Sequence, residues 1–155
     1  MKKAAYILAL AKKLEEELKP LCKKIEIAGS IRGRKDFPKD IDIVLIPKNR
    51  IAVENFFKTK GKFVQGGEKE SSWVIKGIKV ELYYTNEDEW GAELLAYSGG
   101  KGYNIGLRLL AKRKGLKLTQ HGLFDLKTGK KIAGKTETEI YHALGKKYKK
   151  PENRK

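Results

Sequence analysis

Residues 29–42 read GSIRGRKDFPKDID, and the next four residues, 43–46, are all aliphatic. Acidic and aliphatic residues alternate from Asp40 before the run becomes wholly apolar. That pattern predicts a buried strand over 40–46 with its polar groups at one end. Because residues two apart in a strand point to the same face, Asp40 and Asp42 place two carboxylates side by side. Such carboxylates repel each other unless a cation lies between them, so the stretch predicts a site for a divalent metal such as Mg²⁺.

The beginning of the same stretch has the composition of a phosphate-binding turn. Gly29 lets the backbone approach a phosphate closely, and Ser30 adds a hydroxyl and an amide donor. Arg32 and Arg34 follow at once and carry charge that neutralises a polyphosphate. A Gly-Ser pair alone is an ordinary turn, but a pair of acids ten residues later favours a nucleotide site.

Outward from this stretch, apolar periodicity predicts an α+β chain. In chain order we expect an amphipathic helix ending near residue 20, strands at 25–28 and 40–46, a helix at 51–58, strands near 63, 73–75 and 78–84, helices at 87–96 and 102–114, a hairpin from 116–118 and 123–124, and a helix at 136–144. Strands followed by helices indicate a mixed α+β lobe and then a small helical lobe.

Charge separates the two lobes further. The chain has 155 residues and a net charge of +16. Residues 1–100 hold 19 basic and 15 acidic residues, a net of +4, whereas residues 101–155 hold 16 basic and 4 acidic residues, a net of +12. So basic a chain favours polyanionic partners such as nucleic acid, although solubility alone also explains a lysine-rich surface.

The remaining composition excludes several classes of protein. The single Cys22 excludes an internal disulfide framework, and two histidines are too few for an ordinary Cys/His zinc site. No apolar run approaches the roughly 20 residues that a membrane span needs, and no signal peptide is visible. We therefore expect a cytoplasmic protein with no membrane partner.

The run from residue 29 to 34, followed by Asp40-Ile41-Asp42, resembles the signature of the nucleotidyltransferase superfamily, which includes DNA polymerase beta. Polymerases, tRNA-tailing enzymes and small antitoxin-type transferases share that signature. Further along, LLAYSGG at 94–100, Asn104 and Arg108 resemble family X DNA polymerases. GLKL at 115–118, HGLF at 121–124 and the chain from 136 to 154 extend this resemblance, which covers roughly residues 22–155.

The resemblance implies a fold and a domain organisation. We expect a nucleotidyltransferase palm, a mixed sheet with flanking helices, over residues 1–96. A small helical thumb-like subdomain with a short hairpin follows over 97–155. Only 28 residues precede Gly29, so we expect neither a lyase lobe nor a helix-hairpin-helix domain. The chain is similar to the compact viral form of the family.

The resemblance also implies site residues, whose roles divide into three groups. The catalytic and metal-binding residues are Asp40, Asp42 and Glu81. The nucleotide-binding residues are Gly29, Ser30, Arg32, Arg34, Lys39, Tyr97, Gly99 and Asn104. The DNA-binding residues are Lys79, Arg108, Lys112, Arg113 and Lys117.

The chain departs from the family at three of these places. Glu81 replaces the usual third Asp, Gly33 stands where a second Arg usually follows the first, and Lys39 stands where relatives often carry Gly. The first change puts rate and metal preference in question. The other two changes bear on how the turn binds the nucleotide phosphates.

The implied activity is template-directed addition of dNMP to a primer 3′-hydroxyl by two-metal transfer, used in gap-filling DNA repair. The implied cofactors are two Mg²⁺ ions, with Mn²⁺ as a substitute. The implied partners are primer-template or gapped DNA and a dNTP, bound by a monomer. If the source is not prokaryotic, the nucleus or a viral factory replaces the nucleoid. Two alternatives remain open: a template-independent nucleotidyltransferase, and a non-catalytic DNA-binding relative favoured by Glu81 and Gly33.

Overall fold

The structure is a computed structural model that describes residues 2–155. The chain divides into two compact units, one ending at Thr85 and the other running from Asn86 to Lys155. Each unit has its own apolar core.

The first unit is built on a five-stranded mixed sheet with strand order β1-β2-β5-β4-β3. Strands β2 and β5 pair in parallel, and the other neighbours pair antiparallel. The elements of this unit are α1 (Lys2–Leu18), a 3₁₀ turn (Lys19–Leu21), β1 (Cys22–Ile27), α2 (Gly29–Arg32), β2 (Ile41–Pro47), α3 (Arg50–Lys60), β3 (Lys62–Gly66), β4 (Glu70–Ile75) and β5 (Ile78–Tyr84).

The core of the first unit joins helices α1 and α3 to the sheet. Leu14 of α1, Ile43 of β2 and Phe57 of α3 are buried in one apolar cluster. Trp73 of β4 lies in the same cluster and packs its ring against Phe57, with ring centroids 5.4 Å apart. This packing buries the face of β2 that carries Ile43, whereas Asp42 lies on the other face of the strand.

The Gly-Ser turn is a single turn of helix rather than an open loop. Helix α2 begins at Gly29, whose φ of +59° is the left-handed conformation that glycine adopts without strain. The amide of Ala28, just before it, donates to the carbonyl of Asp42 at 2.7 Å. The sequence predicted a turn here but not the helix, because four residues are too few to show helical periodicity.

The second unit contains three helices and a three-stranded antiparallel sheet of order β6-β7-β8. Its elements are α4 (Trp90–Ala96), α5 (Lys101–Arg113), β6 (Leu116–Thr119), β7 (Gly122–Asp125), β8 (Lys131–Ala133), α6 (Glu137–Ala143) and a 3₁₀ turn (Pro151–Asn153). The Thr136 hydroxyl caps α6 by accepting from the Glu139 amide at 3.0 Å, as the Thr-x-x-Glu spacing predicts.

These elements confirm the α+β class, with a mixed sheet followed by a largely helical part. The predicted hairpin is present as β6 and β7. The structure adds β8 as a third strand, which the sequence does not predict because its three residues are too few to show strand alternation. The units divide between Thr85 and Asn86, earlier than the expected boundary between residues 96 and 97. Helix α4 belongs to the second unit because Ala92 and Leu95 are buried in the same cluster as Ile140 of α6.

Across residues 2–155, none of the helices combines the length and the apolarity that crossing a lipid bilayer demands.

Candidate active site

The acidic residues predicted to form the site lie where β2 runs parallel to β5. Asp42 is the register partner of Glu81, and Asp40 lies immediately before β2. Ile41 and Ile43 on either side of Asp42 are fully buried, so alternation turns Asp42 away from the apolar core. The structure therefore brings the predicted carboxylates of Asp42 and Glu81 together.

A tyrosine that the sequence did not single out lies between these two carboxylates. The Tyr83 hydroxyl donates to Glu81 Oε2 at 2.6 Å and lies 3.3 Å from Asp42 Oδ1. The shorter contact is the stronger hydrogen bond, because one hydroxyl proton cannot serve both acceptors equally. Tyr83 lies two residues after Glu81 on the same strand, and that spacing is the only sequence signal for its role.

Lys79 pairs with Glu81 from the other side. Its ammonium lies 2.7 Å from Glu81 Oε1. Burial alone pushes the pKa of Glu81 upward, but the hydrogen bonds from Lys79 and Tyr83 outweigh burial and hold that pKa below its usual value. Lys79, expected to contact DNA, is thus held beside a candidate catalytic carboxylate.

Asp42 experiences the opposite balance. Burial and the neighbouring carboxylates of Glu81 and Asp40 raise the pKa of Asp42 to about 6, despite the hydrogen bond from Tyr83. Ionisation of Asp42 therefore costs more than that of an ordinary aspartate when no metal ion is close to it. This is the electrostatic condition that a bound divalent cation relieves.

The donor set fits Mg²⁺ in its chemistry, since Asp40, Asp42 and Glu81 offer only hard carboxylate oxygens. It is not preassembled: within residues 2–155, no three His, Cys, Asp or Glu side chains are already grouped to hold one ion. The Glu81 carboxylate is occupied by Lys79 and Tyr83. Binding of an ion by Glu81 therefore requires this carboxylate to share or release the ammonium of Lys79.

The raised pKa of Asp42 predicts a pH-dependent cost to stability. A carboxyl whose pKa is higher in the folded than in the unfolded chain holds its proton more tightly when folded, so its ionisation destabilises the fold as pH rises from about 4 through 6. We expect Asp42→Asn to stabilise the metal-free chain by about 3 kcal/mol above pH 6. Thermal unfolding in EDTA checks this, and the gain must shrink as pH falls toward about 4. A gain that is independent of pH would contradict the assignment.

The predicted phosphate-binding turn lies directly against Asp42. A Cβ atom at Gly29 would lie 2.2 Å from Asp42 Oδ2, so only glycine leaves room for this carboxylate. Ser30 follows on helix α2 and is partly buried. The Gly-Ser turn and the acidic strand therefore form one site.

The two arginines of this turn differ in their exposure to solvent. The Arg32 guanidinium lies 2.6 Å from the Glu26 carboxylate on β1, so its charge is already paired within the unit. Arg34 and Lys39 are exposed, and Arg34 has a positive φ of 54°. The sequence could not show that Arg32 is paired, because the ion pair depends on α2 packing against β2, the strand that pairs with β1.

The nucleotide-binding residues predicted in the second unit gather at the turn before α5. Asn104 Nδ2 donates to the carbonyls of Ala96 and Ser98 at 3.3 Å each, and the Tyr97 hydroxyl donates to Gln120 Oε1 at 3.3 Å. Asn104 and Arg108, four residues apart, line one open cavity of about 420 Å³. Tyr97 and Gly99 also line it. The structure thus brings these four residues to one place within the unit.

The remaining residues predicted to bind DNA are solvent-exposed. They are Arg108, Lys112 and Arg113 on α5 and Lys117 on β6. Exposed cations on a helix and the adjoining strand are free to meet phosphates without losing a buried partner.

Comparisons with known proteins relate both units to polymerases. Residues 93–155 match the family described as DNA polymerase beta thumb. The chain is 40% identical over 76 residues to DNA polymerase IV of Saccharomyces cerevisiae, a match that covers 49% of this chain and 13% of that protein. It is 25% identical over 148 residues to the DNA polymerase/3′-5′ exonuclease PolX of Bacillus subtilis, covering 90% of this chain and 26% of that protein.

Relatives of similar length and a solved structure agree with this picture. Repair DNA polymerase X of African swine fever virus (isolate Pig/Kenya/KEN-50/1950) is 27% identical over 147 residues, covering 88% of this chain and 84% of that protein. The ternary P/T complex of Leishmania infantum polymerase beta matches with a TM-score of 0.83 and 20% identity. That match covers 99% of this chain and 76% of the solved chain. The chain therefore spans most of the viral relative but only a small part of the yeast and bacterial ones.

Proposed function

Because this chain belongs to the family X DNA polymerases, we propose that it adds deoxynucleotides to a primer 3′-hydroxyl under the direction of a template, in gap-filling DNA repair. The main observation behind this proposal is that Asp42 is the register partner of Glu81 and lies directly against Gly29. That arrangement combines paired carboxylates with a backbone turn suited to phosphate, as phosphoryl and nucleotidyl transfer require. The similarity to a repair polymerase over most of both chains supports the repair context.

Two Mg²⁺ ions, replaceable by Mn²⁺, would supply Lewis-acid activation of the primer hydroxyl and stabilise the leaving pyrophosphate when bound. Asp40 and Asp42 would hold both ions, and Glu81 would hold the one near the primer. Glu81 is one methylene longer than the usual Asp, and Lys79 and Tyr83 restrain its carboxylate. These contacts limit the extra conformational freedom that the longer side chain brings.

We further propose that Ser30, Arg34 and Lys39 bind most of the triphosphate. Ser30 contributes its hydroxyl and amide, while Arg34 and Lys39 extend from exposed positions of the same loop. Arg32 contributes less than its charge alone would, because Glu26 already pairs with its guanidinium. In this arrangement Arg34 and Lys39 supply the positive charge that Gly33 does not.

In the second unit, Tyr97, Gly99 and Asn104 would contact the sugar and base of the incoming nucleotide. Arg108 would reach the template side of the nascent pair. Lys112, Arg113 and Lys117, together with Lys79 of the first unit, would meet DNA phosphates without reading sequence. The corresponding expectations for the whole protein are a monomer acting on gapped DNA in the cytoplasm or nucleoid.

The test is extension of a labelled primer across a templated single-nucleotide gap, with each dNTP offered separately and Mg²⁺ or Mn²⁺ supplied. We expect addition of the templated nucleotide alone, abolished by Asp42→Ala. Addition regardless of template would replace the proposal with a template-independent nucleotidyltransferase. Firm DNA binding with no addition in either metal would replace it with a non-catalytic DNA-binding protein.

The role proposed for Tyr97 predicts a change in sugar selection. Tyr97→Ala removes the ring that would exclude a 2′-hydroxyl, so incorporation of ribonucleotides relative to deoxynucleotides is expected to rise about 10-fold. The measurement is the ratio of kcat/KM for a dNTP to that for the matching NTP. Tyr97→Phe keeps the ring and removes the hydroxyl that donates to Gln120, so it should retain the selection. An unchanged ratio in Tyr97→Ala would remove this assignment.

A further inference from the structure

Arg154 is a fully charged side chain inside the core of the second unit. It is 1% exposed, and its guanidinium Nη1 lies 2.8 Å from the carboxylate of Glu137, which is itself buried. Arg154 Nε also donates to the carbonyl of Lys149 at 2.9 Å. The rings of Tyr141 and Tyr148 lie 5.6 Å and 5.5 Å from the guanidinium carbon.

This burial is an expensive way to stabilise a small unit. Desolvating both members of an ion pair offsets much of their attraction, and an apolar pair of similar volume is often as stable. In addition, Arg154 Nη2 has no hydrogen-bond partner among residues 2–155. A donor left unsatisfied in a core adds a further cost. The arrangement is better explained by accurate placement than by stability.

Arg154 contacts the turn before α5 through both its backbone and its side chain. Its carbonyl accepts from the Gly100 amide at 3.1 Å, and its side chain packs against Gly99. A Cβ atom at Gly99 would lie 2.9 Å from Arg154 Cβ, and Gly99 has a φ of +84°. The turn is therefore fitted closely to the arginine by both conformation and volume.

The same turn fixes the residues to which nucleotide binding is assigned. The amide of Asn104 donates to the Gly100 carbonyl at 3.1 Å, and Asn104 Nδ2 donates to the Ser98 carbonyl at 3.3 Å. Tyr97 lies immediately before this segment. Any shift of the Gly99-Gly100 backbone therefore moves Asn104 and Tyr97 together.

We infer that Arg154 is a positioning residue for nucleotide selection, which sets the 97–100 turn and through it the placement of Tyr97 and Asn104. The inference rests on the proposed function for the identity of the ligand. It assigns to Glu137 and the Lys149 carbonyl the task of holding the guanidinium in one orientation, since a planar guanidinium bound through Nη1 and Nε is more directional than a lysine ammonium.

The test compares Arg154→Lys with Ile140→Val. Ile140→Val trims a fully buried side chain of the same core and touches none of the contacts to the turn. At a temperature where both variants are folded, we expect Arg154→Lys to raise KM for the templated dNTP about 10-fold, with a much smaller change in kcat. The preference for dNTP over NTP should fall as well. Ile140→Val should keep wild-type values of all three quantities.

A second measurement scores the inference without catalysis. Equilibrium binding of a dNTP is measured with a primer that ends in a dideoxynucleotide and cannot be extended. Binding is therefore scored even if the wild type fails to extend ordinary primers, and that failure would defeat the proposed function alone. Weaker dNTP binding in Arg154→Lys supports the inference. Binding equal to that of Ile140→Val overturns it, as does an absence of dNTP binding in the wild type.

If Arg154→Lys does not fold, Gly99→Ala perturbs the same contact from the other side. The added Cβ presses on Arg154, so the same rise in KM and loss of sugar preference are expected. Wild-type nucleotide parameters in Gly99→Ala would overturn the inference.

Discussion

Asp42→Ala is expected to lower the rate of templated nucleotide addition by about 10³-fold or more, a loss of about 4 kcal/mol of transition-state stabilisation. Asp42 is the register partner of Glu81 and has its pKa raised to about 6 by burial and by the carboxylates of Glu81 and Asp40. Removing it deletes the ligand proposed to bridge both ions. Single-turnover extension of a gapped primer measures the effect.

The same variant should keep its affinity for DNA. It removes a negative charge and none of the exposed cations of α5, so its Kd for gapped DNA should equal or fall slightly below the wild-type value. Asp36→Ala is the matched control, because Asp36 is exposed in the loop before the acidic strand and has the same charge. An Asp42→Ala variant that extends primers at the rate of Asp36→Ala would exclude Asp42 from the chemistry.

The sequence alone predicts the acidic strand and the elements around it. Alternation over 40–46 identifies β2, and its buried neighbours Ile41 and Ile43 show that the acids lie on the opposite face. Leucines at helical spacing likewise identify α1. These patterns are readable because each repeats several times along one element.

Contacts across elements could not be predicted in this way. Tyr83 meets Asp42 only because β2 and β5 pair in one particular register. Arg32 meets Glu26 only because α2 packs against β2, the strand that pairs with β1. Burial of Arg154 runs against the usual exposure of arginine, so composition places it on the surface. In each case tertiary packing decides the partner, and neither local propensity nor spacing encodes it.

The pairing of Lys79 with Glu81 distinguishes this carboxylate from that of Asp42. The pKa of Glu81 is lowered, whereas the pKa of Asp42 is raised, although the two residues are register partners. The difference arises because burial and the neighbouring carboxylates dominate at Asp42, whereas at Glu81 the hydrogen bonds from Lys79 and Tyr83 outweigh burial. A cation entering the site therefore gains more at Asp42 than at Glu81, because the negative charge of Asp42 is less compensated.

Gly29→Ala is expected to lower the rate of nucleotide addition about 100-fold while the chain stays folded, because small misplacements of reacting groups are costly. The new Cβ would lie 2.2 Å from Asp42 Oδ2 and 2.9 Å from Asp42 Cγ, so the carboxylate must move. The φ of +59° adds backbone strain for any residue with a Cβ. Gly67→Ala is the control, since a Cβ there meets nothing within 4 Å.

The kinetic parameter that changes distinguishes two roles for Gly29. If the glycine acts by leaving room for Asp42, Gly29→Ala lowers kcat and leaves KM for the dNTP close to its wild-type value. If its main role is close approach of the backbone to the triphosphate, KM rises instead. The overlap between the added Cβ and the Asp42 carboxylate predicts the first result, because Asp42 supplies the atoms nearest to that Cβ. Gly29→Ala with wild-type kcat and KM would show that neither the carboxylate nor the phosphates depend on this turn.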